Sequence, residues 1–322
     1  MRSDKIGRTL LKTLIILFVV LNVIVMFHAY KFTHFTSAQV KRIDEHQLTG
    51  AEKIKTILFG VNNSRPGDAI KPSQKYETVY LQSNVKLECW SLKADSARGT
   101  VIIFHGYRAS KSEMIDRSDE FLKLGYNTLL VDFMGSGGSE GNSTTIGYKE
   151  AEEVKTAFDY VASKGEQHIY LFGTSMGAVA IMKAMDDNLT INPRGLILEC
   201  PFGTMFQTVS VRVKLMGLHT FPTAYLLMFW GGVENGFWAF SHNPEEYAKH
   251  IEFPVLLMYG EADNRVSRAE TDSIYANLRG YKCLKTFPLC GYEDYIHKYH
   301  YIWVSDVDSF LTESKKHMFL LD

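Results

Sequence analysis

Short, almost wholly apolar runs alternate along the chain with longer stretches in which apolar residues recur every three or four positions. The runs are Glu77–Gln82, Val85–Ser91, Thr100–Phe104, Asn127–Val131, Ile169–Phe172, Leu196–Glu199, Pro254–Tyr259 and Lys282–Phe287. Several, such as VIIF, TLLV, IYLF and LILE, are continuous rather than alternating, which suits strands buried on both faces of a parallel sheet. The stretches between them read as amphipathic helices. In YKEAEEVKTAFDYV, Ala151, Val154, Phe158 and Val161 fall on one face, with Glu and Lys opposite. A strand pair followed by βα repeats predicts an α/β fold whose twisted, mostly parallel sheet is flanked by helices.

Two regions depart from this rhythm. Arg2, Lys5, Arg8 and Lys12 precede or open an apolar stretch running from Leu10 to Tyr30, long enough for one transmembrane helix with Lys12 snorkelling and Asn22 inside. Positive charge before it predicts an inside N terminus, so that residues 1–30 anchor the chain in a membrane and its bulk lies outside the cytoplasm. A cleaved signal peptide, with a weak site at Thr36-Ser37-Ala38 and a secreted product, and a buried globular helix are the rival readings. Residues 31–75, with a short helical pattern over Glu52–Phe59 and the loop NNSRPGDAIKP, read as a stalk leading to a main domain at 76–315. Residues 201–240, aromatic and broken by Pro222 and glycines, read as a helical cap inserted after the sixth strand, with ordinary core helices as the alternative.

Composition narrows the class. Lys and Arg number 35 against 36 Asp and Glu, so no basic field favours nucleic acid. The four cysteines are scattered and form no CxxC pair, which gives neither a disulfide scaffold nor a metal-site pattern. Cys283 and Cys290 could pair in an oxidising compartment, but their spacing reads first as two free thiols. The glycine-rich run VDFMGSGGSEGN lacks the Lys-Ser/Thr that completes a phosphate-binding loop.

The segment HIYLFGTSMGAVAIMKAM carries the chemistry. Gly173-Thr174-Ser175-Met176-Gly177 stands between a buried strand and an apolar helix, the strand–turn–helix setting in which G-x-S-x-G exposes a nucleophilic serine. So tight a turn leaves no room for side chains beside the serine. The helix that follows aims backbone N–H groups at an oxyanion formed there. The plain alternative is a glycine-lined turn.

With FHGY, DFMGSGGSEGN, GTSMGA, ECPFG, FWGG, HNPEEYA and GEAD, the chain resembles the α/β-hydrolase superfamily over about residues 70–312. It is most similar to membrane-anchored or exported bacterial members grouped with the serine aminopeptidase-like hydrolases. The resemblance implies that the backbone N–H groups of Tyr107 and Met176 form the oxyanion hole. It also implies that His105 braces its loop and that the loop after Asp132 is structural. The pattern G-x-x-D-x-x-V assigns Asp263 as the triad acid, with Glu199 as the fallback. Where the family pattern has histidine in G-H-E-x-Y, this chain has Cys290-Gly291-Tyr292-Glu293-Asp294-Tyr295. Tyrosine, with a pKa near 10, is a poor proton acceptor at neutral pH. His297 is the nearest candidate base, with His300 behind it, although a helical side chain that far on is expected to face solvent or pack.

The expected function is a serine hydrolase that cleaves a carboxylic ester or related acyl bond through a Ser175 acyl-enzyme, without metal or cofactor. The alternatives are a catalytically impaired, hydrolase-fold binding protein and a peptidase. For the peptidase no acidic cluster to hold an amino group is evident. The expected partners are a small acyl or ester substrate and a membrane.

Overall fold

In the computed structural model the described residues are 2–38, 49–187, 190–292 and 295–318. Eight strands form the central sheet: β3 (Tyr76–Gln82), β4 (Lys86–Leu92), β5 (Thr100–Phe104), β6 (Asn127–Val131), β7 (Ile169–Thr174), β8 (Gly195–Glu199), β9 (Val255–Gly260) and β10 (Lys282–Phe287). Their order is β10-β9-β8-β7-β5-β6-β4-β3, and all pairings are parallel except those of β4 with β3 and β6. All eight strand expectations are met to within one or two residues.

The continuous apolar runs are explained by two cores, one on each face. Ile102 and Phe104 of β5, with Leu171 of β7 and Leu198 of β8, face α4 (Glu150–Ser163) and α5 (Met176–Asp186). Val101 and Ile103, with Phe172 and Ile197, face α3 (Ile115–Lys123) and the C-terminal helix α11 (His300–Met318), where Trp303 is fully buried. Alternate residues of one strand therefore enter different cores, and neither set can be polar.

The cap comprises α6 (Met205–Leu215) and α7 (Thr220–Asn235), followed by the one-turn α8 (Pro244–Tyr247). Thr204 caps α6 by accepting from Gln207 N, and Gly236 ends α7 in the left-handed region at φ 65°. Beyond β9, α9 (Arg268–Asn277) opens with a capping box between Ser267 and Glu270. The short α10 (Tyr295–Lys298) precedes α11.

The N-terminal helix α1 covers Arg2–Thr33, beyond both ends of the expected span, and its apolar window is almost entirely uncovered by protein. It is one helix long and apolar enough to cross a membrane. Its C-terminal part is not free: Val25, Ala29 and Thr33 are buried, and α1 runs along α7.

The stretch expected as a stalk is, in its described part, laid against the domain instead. Strand β1 (Phe35–Thr36) pairs with β2 (Asn63–Ser64), and α2 (Gly50–Phe59) lies between them in sequence. Arg65 donates to the carbonyls of Ser136, Gly137, Ser139 and Gly141, stitching the segment to the glycine-rich loop. Asp68 pairs with the buried Lys111. Residues 39–48 of this stretch lie outside the described residues.

Candidate active site

Parallel strands deliver their following loops to one edge, and the candidate residues all leave the sheet there. β5 leads to His105-Gly106-Tyr107, β7 to Ser175, β8 to Cys200, β9 to Asp263, and β10 to Tyr292.

Ser175 occupies the turn between β7 and α5 at φ 52°, ψ −111°, a strained conformation for a residue with a side chain. Its N–H donates to Glu199 O at 2.7 Å, and its own carbonyl accepts from Val179 N, which fixes the turn on both sides. The flanking glycines are there for space. A Cβ on Gly173 would lie 2.5 Å from Ala178 N, and one on Gly177 would lie 2.5 Å from Phe104 O. The second contact sets the start of α5 against the end of β5, beside the loop carrying Tyr107.

That loop is braced as expected. His105 is fully buried. Its Nδ1 meets Gly106 O at 2.8 Å, and its Nε2 accepts from Phe133 N at 3.1 Å. Burial pushes its pKa down to about 4, so the ring is neutral. The Tyr107 side chain turns away from the serine. Its hydroxyl donates to Phe32 O of α1 at 2.6 Å, its ring stacks on Phe32, and the Arg212 guanidinium of α6 lies 4.7 Å from the ring centre.

Asp263 Oδ1 accepts from Arg265 N at 2.7 Å and Val266 N at 3.0 Å. Its Oδ2 is buried with no hydrogen-bond partner, and burial raises the pKa of the carboxyl. Glu199, the fallback acid, is committed elsewhere. It accepts from Trp303 Nε1 at 2.7 Å, Thr174 Oγ1 at 3.0 Å and Arg117 at 3.1 Å.

The base is the position that the sequence left open. His297, the candidate, has its side chain 68% exposed and its Nε2 3.8 Å from Asp116. His300 faces Glu120 at 3.1 Å. Both rings sit beside carboxylates of α3, because their helical positions follow the turn that carries Tyr292. Tyr292 itself donates its hydroxyl to Ser175 Oγ, and the Arg265 guanidinium covers its ring at 4.4 Å. The hydrogen bond thus puts tyrosine on the serine, and the partner position expected for a base is filled by a donor.

Two further features escaped sequence reasoning. His242, the first residue of HNPEEYA, is buried under the cap, with Nε2 3.0 Å from Ile146 O and Nδ1 3.0 Å from the Tyr247 hydroxyl. The carboxylates of Asp68, Glu88 and Asp132 converge closely enough to suggest a cation site. The fully buried Lys111 ammonium already meets all three and lies 4.3 Å from the Trp90 ring centre. Cys283 and Cys290 are not joined in a disulfide.

Comparison with known proteins follows the geometry. A family model described as serine aminopeptidase, S33, matches residues 95–244. The uncharacterized protein YqkD of Bacillus subtilis is 26% identical over 188 residues, 58% of this chain and 62% of that protein. Lysophosphatidylserine lipase ABHD12 of Macaca fascicularis is 24% identical over 217 residues, 64% of this chain and 53% of that one. The match therefore spans less than two thirds of either relative. The Pyrococcus furiosus esterase Pf2001 superposes with a TM-score of 0.64 at 24% identity, over 79% of this chain and 99% of its own. Est1E of Butyrivibrio proteoclasticus superposes at 0.57 and 19% identity, over 74% and 99%. Sheet order, strained serine turn, braced HG-x loop and these matches agree: the chain has the α/β-hydrolase fold, and its residues 95–244 are similar to the serine aminopeptidase-like family.

Proposed function

We propose that the chain is a membrane-anchored serine hydrolase acting on a carboxylic ester or related acyl bond. The observation that carries this reading is Ser175, held in a strained turn at the head of α5, where the first N–H groups of a helix have no partner within the helix. In this mechanism Ser175 Oγ adds to the acyl carbonyl, and the N–H groups of Tyr107 and Met176 hold the oxyanion. The intermediate collapses to an acyl-enzyme as the alcohol leaves, taking up through water the proton that Ser175 Oγ gave up, and a second water then releases the acid. Asp263 is the acid of the constellation. Its Oδ2 has the lone pair that a triad histidine would use, and no such histidine meets it.

The Tyr292 contact favours a second reading, a site with impaired turnover that binds acyl ligands. A fluorophosphonate probe separates the two. The hydrolase reading expects covalent labelling that disappears in Ser175→Ala, together with turnover of p-nitrophenyl acetate. Labelling without turnover would favour the binding protein. Absence of labelling in folded protein would remove the nucleophile assignment.

For location, we infer that α1 is retained as the anchor, with the N terminus inside and the hydrolase domain outside the cytoplasm. Support comes from its ties to the domain: Asn63 Nδ2 donates to Lys31 O at 2.8 Å, and Asn235 Nδ2 donates to Thr33 Oγ1 at 3.0 Å. A cleaved signal would forfeit these bonds. Release of the protein by alkaline carbonate, or a mature chain starting beyond residue 38, would overturn this.

A further inference from the structure

We propose that α7 of the cap is immersed beside α1 in the outer half of the same lipid bilayer, so that the domain rests on the membrane through its cap rather than standing clear of it. The inference rests on the anchor reading for α1 and extends it to a second element. The proposed occupant of the cap's exposed face is lipid.

The exposed face of α7 is the first argument. Phe221, Tyr225, Phe229 and Val233 recur every four residues, and they are 76%, 44%, 41% and 56% exposed. The opposite face, with Ala224, Met228 and Gly231, is buried in the cap. An aqueous helix shows the reverse, polar residues outward. The only acidic or basic residue among the sixteen of α7 is Glu234, near its end. Its Oε2 is turned into the protein. Trp238, just past the helix, is 59% exposed, a residue type that collects at membrane–water interfaces.

Continuity with α1 identifies the occupant. Trp230 Nε1 of α7 donates to Asn22 Oδ1 at 3.1 Å, and Asn22 Nδ2 donates to Phe18 O at 2.9 Å. Phe18, Val19, Val23 and Met26 line the apolar groove around that contact. Asn22 lies eleven residues before Thr33, about 16 Å of helix rise, or roughly half the thickness of a hydrocarbon core. If α1 spans, whatever touches Asn22 shares its surroundings. In hydrocarbon an amide and an indole N–H each need a partner, and here each supplies the other's. The pair thus makes sense of a polar residue in the middle of an otherwise apolar span. It also requires α7 to be at that depth.

The test uses the full chain in phosphatidylcholine liposomes, with phosphatidylcholine brominated midway along its acyl chains as a contact quencher of tryptophan. Of the four tryptophans, Trp90 and Trp303 are buried in the hydrolase core and out of reach. The expected result is quenching of up to about half the emission, the share of Trp230 and Trp238, as for interfacially buried aromatics. Trp230→Phe with Trp238→Phe should abolish it, and Phe221→Glu with Phe229→Glu should reduce it, with the fold checked by circular dichroism. Carbonate extraction of the same liposomes separates the two readings. Retention without quenching would overturn this inference alone, whereas release without quenching would remove the anchor as well. A cross-linked dimer through this face, without quenching, would assign the surface to a second copy and equally overturn the proposal.

Discussion

Asp263 Oδ2 and the Tyr292 hydroxyl bracket the unsettled chemistry of the site, one an acceptor without a donor and the other a donor on the serine. Tyr292→His should supply both a base for Ser175 and a partner for Asp263, raising turnover of p-nitrophenyl acetate by about 10²-fold or more. The gain should vanish when Asp263→Asn is added. Equal activity in Tyr292→His and the parent would show that proton transfer is handled elsewhere. A second residue-scale prediction concerns His242, fully enclosed and with its pKa pushed down to about 4 by burial. The unfolded chain takes up that proton first, so this contribution to stability is complete above about pH 6.5 and lost as pH falls toward 4. Relative to His242→Gln, the parent should lose about 2 kcal/mol more between pH 7 and 5, read from urea midpoints. Asp132, pushed up to about 6 by burial, slopes the other way but is common to both proteins and cancels. Ser175 was legible in the sequence because the steric demands of its turn are local. The base was not, because what reaches the serine depends on how the turn after β10 is folded back, and spacing alone could not separate Tyr292 from His297. His242 gave only the faint signal of a histidine opening HNPEEYA.

At the scale of elements, the sheet was readable because its central strands β5, β7 and β8 feed two cores and so carry continuous apolar runs. What pattern could not give was the arrangement around Lys111. The ammonium joins the 3-10 turn of residues 111–114, β4 through Glu88, the end of β6 through Asp132, and the incoming segment through Asp68. The glycine-rich loop packs over this cluster, and a Cβ on Gly138 would enter the Glu88 carboxylate. Its glycines therefore answer to sterics, in line with a structural loop. Lys111→Met should cost about 3–5 kcal/mol in a denaturation midpoint, since it leaves buried carboxylates without their cation. A loss below about 1 kcal/mol would mean that the three carboxylates reorganise or protonate cheaply. The cap was located by its broken apolar pattern, yet periodicity could not say which face of α7 turns outward, because nearly every position on that helix is apolar.

Across the whole molecule, the C-terminal part of α1 and residues 60–75 are held against the domain. Arg65→Ala removes donors to four loop carbonyls and should loosen residues 60–75. Limited proteolysis within that segment should quicken by about tenfold, the equivalent of 1.4 kcal/mol of local stability. An unchanged digestion rate would place the hold elsewhere, for instance in the β1–β2 pairing. The bond from the Tyr107 hydroxyl to Phe32 O has a consequence for how such a protein is handled. Trimming the first 38 residues to gain solubility would strip the Tyr107 ring of its stacking partner and uncover Arg212, which rests 4.3 Å from the centre of the Phe32 ring. The trimmed chain would keep its serine but lose one wall beside the His105–Tyr107 loop. Any rate measured on it would belong to an altered site, and a weak one would say little about the full chain.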